Sequence, residues 1–582
     1  MEAISYPVCR DHKGFFPLGK LAERSAEEFG PYPVFRTWNG SGYDEILYKD
    51  FADDVYAVGR WLVDSGVKPG DHVAVLGPDN PRWIIAYLGI LSAGGIVIPV
   101  DRLLGDSGIR HVISHSETTV LFTSAEFLDR LAEMEPLKMI RLIILMDNES
   151  RTSTVTWSDV LQKGMKSNAV LPERSLDDTA AVLYTSGTTG HSKGVVLSNL
   201  NIISNVAHSS QLLPLDHTDV FLSMLPLHHS FALTAGILYP IYCGCSITFA
   251  RSLKSTDLLA DIRETQVSAM GSVPLLFEKM HAGMLRMVKK RGFVATTLFK
   301  ALLGLARVGE MFGFRWGTVL FKSMRDKAGL GSVKYFVTGG GPLDPNTSRF
   351  FLRFGIPLLQ GFGLTETSPI THTTPPSIIR HECVGLPMPE VEARIDNPDS
   401  TGVGELCIKG PNVFQGYYKN DKATSEVFDD EGWFHTGDLG IIHPDGFLQI
   451  TGRKKNLLVT AGGKNVFPEE IEYRLNRQPF IGESLVLGMK RSSGYGDQVS
   501  ALIHPDYEQL DLHFEEQSDE PTDEDVYNLI AEDIREAQKD LPKYKHIRYF
   551  RIFEEEFQKT STRKIKRYLY SAERVDVEGV RV

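Results

Sequence analysis

A chain of 582 residues exceeds what one hydrophobic core organises, so at least two domains are expected. Its 42% hydrophobic and 23% charged content is that of an ordinary soluble globular protein. Acidic residues outnumber basic ones by 74 to 62, and the resulting formal charge of −12 argues against nucleic acid as a partner.

The first residues, 1–14, carry charges throughout and lack a long apolar core, so no signal peptide is expected. Residues 50–66 predict a helix, with an N-cap acid, apolar residues at helical spacing and a closing glycine. A turn at 69–71 leads into a strand at 72–76. A second helix over 83–93 ends at Gly94-Gly95 and feeds a strand at 96–100. Further strands are expected at 120–122 and 142–146. Short apolar strands alternating with helices imply parallel sheets covered on both faces.

Residues 231–250 run for twenty positions without a charge, the length of a membrane span. Pro240 and Gly244 interrupt the run, and 242–247 reads as a strand, so a buried helix followed by a strand is expected. From 404–408 through 447–450 the strands are short and joined by glycine turns, as in an antiparallel, barrel-like subdomain. About 130 residues of mixed pattern then follow, enough for a small α+β domain; the acidic stretch 515–525 within it is read as a solvated loop. Five cysteines, Cys9, Cys243, Cys245, Cys383 and Cys407, are odd in number and suit a reducing cytosol better than a disulfide framework. The lone Cys243-Gly-Cys245 has no second ligand pair and is not read as a metal site. No internal repeat is evident.

Residues 184–194, Tyr-Thr-Ser-Gly-Thr-Thr-Gly-His-Ser-Lys-Gly, follow the apolar run 180–183 and gather three glycines, five serine or threonine hydroxyls and a lysine. A strand followed by such a loop is how backbone comes close to phosphates. Glycine removes the steric block, while N–H groups, hydroxyls and an ammonium supply donors. The P-loop pattern fails here, because Gly187 and Gly190 are three apart and Lys193 precedes a glycine.

The loop resembles the phosphate-binding signature of the adenylate-forming enzymes, which include acyl- and aryl-CoA synthetases, luciferases and peptide-synthetase adenylation domains. Gln360-Gly-Phe-Gly-Leu-Thr-Glu366, Trp433-Phe-His-Thr-Gly-Asp438, Thr451-Gly-Arg453 and Lys564 follow in that family's order and rough spacing. The similarity runs from about residue 20 to about residue 570. It implies a large N-terminal domain of parallel βαβ layers with a barrel-like β subdomain, 1–452, and a small mobile C-terminal α+β domain, 453–582.

The resemblance also implies a chemistry. A carboxylate acylates poorly, so the family attacks the ATP α-phosphate with it, giving an acyl-adenylate and pyrophosphate; a second nucleophile, usually the CoA thiol, then displaces AMP. This needs positioning and charge neutralisation more than a protein nucleophile, and no Gly-x-Ser-x-Gly elbow opposes it. By the match, Thr185, Ser186, Gly187, Thr188, Thr189, Gly190 and Lys193 hold the β- and γ-phosphates. Glu366 orients magnesium with Thr188 beside it, a hard oxygen ligand of the kind magnesium prefers. Gly339, Gly340, Gly341 and Pro342 form the adenine-side loop, with Gln360, Gly361, Gly363 and Thr365 in the neighbouring motif. Phe362 takes the stacking position where the family usually has tyrosine, which preserves stacking but not a hydroxyl hydrogen bond. Asp438 accepts both ribose hydroxyls, and Arg453 also reaches the ribose. Lys564 is the adenylation lysine, although Arg563 stands where the family often has glycine, which leaves Lys566 as the alternative. Lys455 is the interdomain hinge. In Pro226-Leu-His-His-Ser-Phe231, His229 matches the histidine near the carboxylate and Phe231 the acyl-pocket wall.

Residues 286–327 hold ten basic and two acidic residues, with Leu298, Leu302, Leu305 and Phe312 on one helical stripe and Lys300 and Arg307 on another. Such helices favour anionic membrane surfaces. With the variants around Arg453 and Lys564, the segment resembles the long-chain fatty acid branch. The expectation is therefore an ATP-, magnesium- and CoA-dependent fatty acyl-CoA ligase, cytoplasmic, with peripheral contact at the inner face of an anionic membrane. The alternatives are a ligase that hands the acyl group to a carrier protein or amine, and a catalytically silent binding protein, which intact Lys193, Glu366, Asp438, Arg453 and Lys564 disfavour.

Overall fold

The computed structural model describes residues 14–131, 139–147, 149–185, 192–490, 497–515, 522–559, 565–570 and 580–581. Two large sheets dominate the first three-quarters of the chain. Among the described residues one has eight strands, and its parallel centre runs Thr179–Thr185, Ile96–Pro99, His72–Leu76, Val120–Thr123, Leu142–Leu145. Antiparallel strands Lys193–Ser198 and Gly416–Tyr417 close one edge. The other has nine, with parallel neighbours Leu358–Gly363, Tyr335–Thr338, Ala269–Ser272, Val220–Ser223, Ser246–Phe249 and Pro33–Trp38. Its central strands are buried on both faces, which is why they read as unbroken apolar runs rather than alternating ones.

The expected helices are present with shifted ends. Tyr48–Asp64 packs on Pro81–Ser92, whose N-cap Asn80 accepts from the Trp83 amide. Gly89 lies at that crossing, where an added Cβ would come 2.5 Å from Val58 Cγ1. The uncharged run 231–250 is the expected buried helix and strand, with helix Ser230–Leu233, a π turn Thr234–Leu238, helix Tyr239–Cys243 and strand Ser246–Phe249. The strand begins four residues later than the sequence pattern suggests, because the helix persists until Gly244 closes it at φ 82°. No helix among the described residues is long and apolar enough to cross a membrane.

The glycine-turn strands form a four-stranded antiparallel sheet, Glu392–Asp396, Gly404–Lys409, Phe434–Ile442 and Leu448–Arg453. Beyond it, Ile471, Leu475, Val486, Val499, Ile503, Ile530, Ile534 and Phe550 make a core separate from those of the preceding sheets. Helices Pro468–Leu475 and Asp523–Gln538 pack there near strands Ile481–Lys490, Asp497–Pro505 and Tyr549–Ile552. Of the acidic stretch 515–525 expected as a loop, Glu515 ends helix Tyr507–Glu515 and residues 516–521 lie outside the described residues. Asp523 to Asp525 are the first helical turn, where carboxylates favour the N-terminal dipole and Thr522 and Asp525 form a capping box.

Candidate active site

A continuous cleft of about 2670 Å³ lies where the sheets meet the C-terminal core. It is lined by Thr185, Lys193, His229, Phe231, Gly340, Gly341, Pro342, Gln360, Gly361, Phe362, Gly363, Thr365, Glu366, Asp438, Arg453 and Lys455, so residues far apart in the chain line one cleft. Ser186, Gly187, Thr188, Thr189, Gly190 and Lys564 lie outside the described residues.

On the phosphate-loop side, Thr185 and Lys193 face one another across antiparallel strands, so the loop leaves and re-enters at one sheet edge. The Lys193 ammonium sits 4.7 Å from the Tyr417 ring centroid, and the Tyr417 hydroxyl donates to Glu366 Oε1 at 3.0 Å. Burial first, then the Glu366 carboxylate, pushes the Tyr417 phenol well above its ordinary pKa, which keeps it a donor. Glu366 stands in the short turn Thr365–Thr367, whose Glu366 carbonyl accepts from the Phe414 amide at 2.9 Å. Glu366 and Lys193 both line the cleft, joined through Tyr417. A hard oxygen donor so placed fits a magnesium ion held against phosphates.

Two histidines absent from the sequence reading hold the loop's ends. His111 and His115 lie one turn apart on helix Asp106–His115. His111 Nε2 is 3.0 Å from the Ser192 carbonyl, and His115 Nδ1 is 2.8 Å from the Tyr184 hydroxyl. Desolvation, then His111 and Lys419, lowers the His115 pKa and favours the neutral ring at that contact.

The motifs at 339–342 and 360–366 meet because strands Tyr335–Thr338 and Leu358–Gly363 are parallel neighbours. Gly340 turns at φ 81°, and at Gly363 a Cβ would fall 1.7 Å from the Pro369 carbonyl oxygen, so only glycine fits there. Phe362 pairs with His372 on the antiparallel neighbour and presents part of its ring to the cleft. Asp438 and Arg453 are register partners on adjacent strands, and Arg453 Nε lies 2.8 Å from Asp438 Oδ1. The nearby Glu405 carboxylate is occupied by Lys454 at 2.7 Å, His435 at 3.3 Å and the Gly437 amide at 3.1 Å.

The histidine pair separates by environment. His228 is buried, with Nε2 3.1 Å from Asp101 Oδ1, whereas His229 is half-buried at the start of helix Ser230–Leu233. Phe231 fits between two glycines, its ring 3.6 Å from a Cβ position at Gly271 and 3.8 Å from one at Gly339. Apolar walls including Leu213, Phe221, Tyr239 and Val337 extend the cleft.

From the C-terminal side, Ile565, Lys566 and Arg567, directly after Lys564, line the cleft. Arg567 pairs with Glu472 and donates to the Val486 carbonyl at 3.3 Å, tying this segment to the C-terminal core. Lys455 stands in the short turn Lys454–Asn456; desolvation first, then Arg453, holds its ammonium below the ordinary lysine pKa. Tyr473 donates to Asp344 Oδ1 at 2.8 Å, and Arg477 pairs with the same oxygen at 3.3 Å, bridging the C-terminal core to the segment just after Gly339–Pro342.

Comparison with known proteins agrees with this fold. The chain is 30% identical over 528 residues to the peroxisomal long chain acyl-CoA synthetase 6 of Arabidopsis thaliana, covering 85% of this chain and 74% of that protein. It is 30% identical to a long-chain-fatty-acid–CoA ligase of Rattus norvegicus, covering 82% and 76%. A chloroplastic long-chain-fatty-acid–acyl-carrier-protein ligase of Arabidopsis thaliana is 28% identical, covering 84% and 76%. In fold, the ATP-bound MatB from Rhodopseudomonas palustris superposes with a TM-score of 0.72 at 24% identity, covering 95% of this chain and 98% of that one. The AMP-binding enzyme model matches residues 22–418, more than half the length, and the chain therefore belongs to the AMP-binding enzyme family.

Proposed function

We propose that this protein is an AMP-forming acid–CoA ligase that activates a fatty acid of long chain. The observation that carries the reading is the convergence, on one cleft, of Lys193 and Glu366, the Asp438–Arg453 pair and the segment after Lys564. Each group answers a charge that the reaction creates or moves. Lys193 and the loop 185–190 bind the β- and γ-phosphates, and Glu366 with Thr188 would hold magnesium, which supplies neutralisation of phosphate charge. Asp438 accepts the ribose hydroxyls with Arg453 orienting its carboxylate, and Phe362 lies against adenine. Lys564 neutralises the approach of the acid's carboxylate to the α-phosphorus. The phosphorus–oxygen bond to pyrophosphate breaks as the acyl-adenylate forms; the CoA thiol then attacks the acyl carbonyl and AMP leaves. His229 and Phe231 position the carboxylate end of the acid, and the apolar walls receive its chain.

Residues 1–452 act as the nucleotide- and acyl-binding domain and 453–582 as a mobile partner, turning about Lys455 between the two steps. The long-chain relatives and the apolar cleft walls support a fatty acid, and the basic segment 286–327 supports peripheral contact with an anionic membrane on the cytoplasmic side. The carrier-protein relative supports a second reading, in which the acyl group passes to a carrier thiol. Pyrophosphate release screened across acids, with and without CoA, tests both. Palmitate- or oleate-like acids should give acyl-CoA and AMP. ADP as product, or preference for acetate or aryl acids, overturns the assignment, and adenylate that turns over only with a carrier protein selects the second reading.

A further inference from the structure

The two faces of the nine-stranded sheet differ where it borders the cleft. On its middle strands, Met270 and Phe336 are buried in a core that includes Phe277, Phe350 and Phe351. Side chains alternate along a strand, so Ala269, Gly271, Tyr335 and Val337 take the opposite face, and all four line the cleft with Phe221. Register sets these residues side by side. Phe221 stands opposite Ala269, Ala269 opposite Tyr335, and Gly271 opposite Val337.

The strand Ala269–Ser272 thus offers the cleft a methyl group and a bare backbone, between neighbours that carry a phenyl ring, a phenol and an isopropyl group. The result is a trench along that strand, floored by Ala269 and Gly271. Neighbouring strands lie about 4.8 Å apart, so the two wall strands are roughly 10 Å apart and their side chains narrow the gap. The strands are parallel, and the motifs at 339–342 and 360–366 lie at their carboxyl ends. Depth along the trench therefore reads backwards along the chain. Gly271 is level with Val337, two residues below Gly339, and Ala269 is about 7 Å deeper.

Two rings mark the course. Phe231 lies 3.8 Å from a Cβ position at Gly339 and 3.6 Å from one at Gly271. Phe221 lies 3.6 Å from that same position at Gly271 and 3.8 Å from one at Gly236 in the π turn. Glycine inside a central strand weakens it and marks a place where something approaches the backbone. Backbone conformation does not call for it here, since Gly271 has no positive φ, and an added Cβ would meet both rings at ordinary contact distance. What the missing side chain leaves is room in the cleft.

We propose that Gly271 and Ala269 set the chain-length limit of the acid, whose alkyl chain runs from Phe231 down the trench past Gly271 to Ala269. The proposal rests on the fatty acid reading and adds where the chain lies and which residues measure it. A side chain at 271 stops the alkyl chain close to its carboxylate end, and one at 269 stops it about 7 Å later.

The test uses the full chain and compares hexanoate, octanoate, dodecanoate and palmitate. Each acid is measured by pyrophosphate release with ATP, magnesium and CoA, and by calorimetric binding in the presence of AMP. Gly271→Val should lower kcat/KM for palmitate relative to hexanoate about a hundredfold, and Gly271→Ala about tenfold, the range that a few misfitting methylene groups command. Ala269→Val should place its break at a longer acid than Gly271→Val does, so that dodecanoate is spared by the first and lost by the second. Gly271→Ala keeps the result readable if valine disturbs the sheet, because its Cβ only touches the two rings. Equal losses for hexanoate and palmitate in Gly271→Ala, undiminished use of palmitate by Gly271→Val, or one break shared by both positions overturns the trench. So does failure of the native chain to bind palmitate. A native chain that binds these acids with the expected breaks in its variants, yet releases no pyrophosphate with any of them, sinks the ligase reading and leaves the trench standing.

Discussion

Tyr417 links the cation and the carboxylate of the phosphate side, holding Glu366 by a hydroxyl donor and Lys193 by its ring face. Lys193 and Glu366 are legible in the sequence because each sits in a dense motif. Tyr417 is not, since nothing local marks it; it arrives through the pairing of Gly416–Tyr417 on Val195 and Val196 of a distant strand. Lys564 poses the reverse case: the motif names it, and the described residues after it place Ile565 to Arg567 on the cleft. Replacing it with alanine should remove the charge that lets the acid approach the α-phosphate, lowering adenylate formation by two to four orders of magnitude, about 3–5 kcal/mol of barrier. Supplied with preformed acyl-adenylate, Lys564→Ala should still make much of its thioester. Normal adenylation with loss of thioester formation alone would move the role to Lys566.

Helix Asp106–His115 acts as one element on both ends of the phosphate loop, because residues four apart share a helical face. His111 at Ser192 and His115 at Tyr184 fix where the loop re-enters and leaves the sheet. Losing one such hydrogen bond costs about 1 kcal/mol, roughly fivefold in an equilibrium. His111→Leu should therefore raise KM for ATP about fivefold while leaving KM for the acid unchanged, and His111→Gln, which keeps a donor, should restore most of it. Equal losses in both KM values, or a lowered melting temperature with KM unaffected, would show that the helix only supports the fold. Elements of this kind were half-visible beforehand: strand and helix positions followed from apolar periodicity, whereas the four-residue delay of the strand at Ser246 followed from how far a buried helix could continue.

Across the whole molecule, burial that no local pattern announces sets the pH response. His372, fully enclosed opposite Phe362, is pushed down to about 3 by desolvation. Its folded pKa lies below the unfolded value of about 6.5, so its contribution to stability is complete above that pH. As pH falls the unfolded chain takes up a proton that the folded chain refuses, and stability is lost. Between pH 6.5 and pH 5 this one residue should cost about 2 kcal/mol, read from denaturant unfolding of the native chain against His372→Gln. Identical acid slopes for the two would show that the imidazole is protonated where it stands.

The sequence by itself determined the family, the alternation of strand and helix, and the identity of most candidate site residues. Those depend on short-range chemistry: glycines, hydroxyls and a lysine gathered in one short stretch, and apolar periods where a sheet is buried. Only the tertiary structure decided which residues meet. Strand pairing set Asp438 against Arg453, the packing of Phe299 and Ala306 turned Val294 and Leu298 outward, and the C-terminal core carried Arg567 to the cleft. Such contacts join positions tens to hundreds of residues apart, and their free energy belongs to the packed assembly rather than to any segment of the chain.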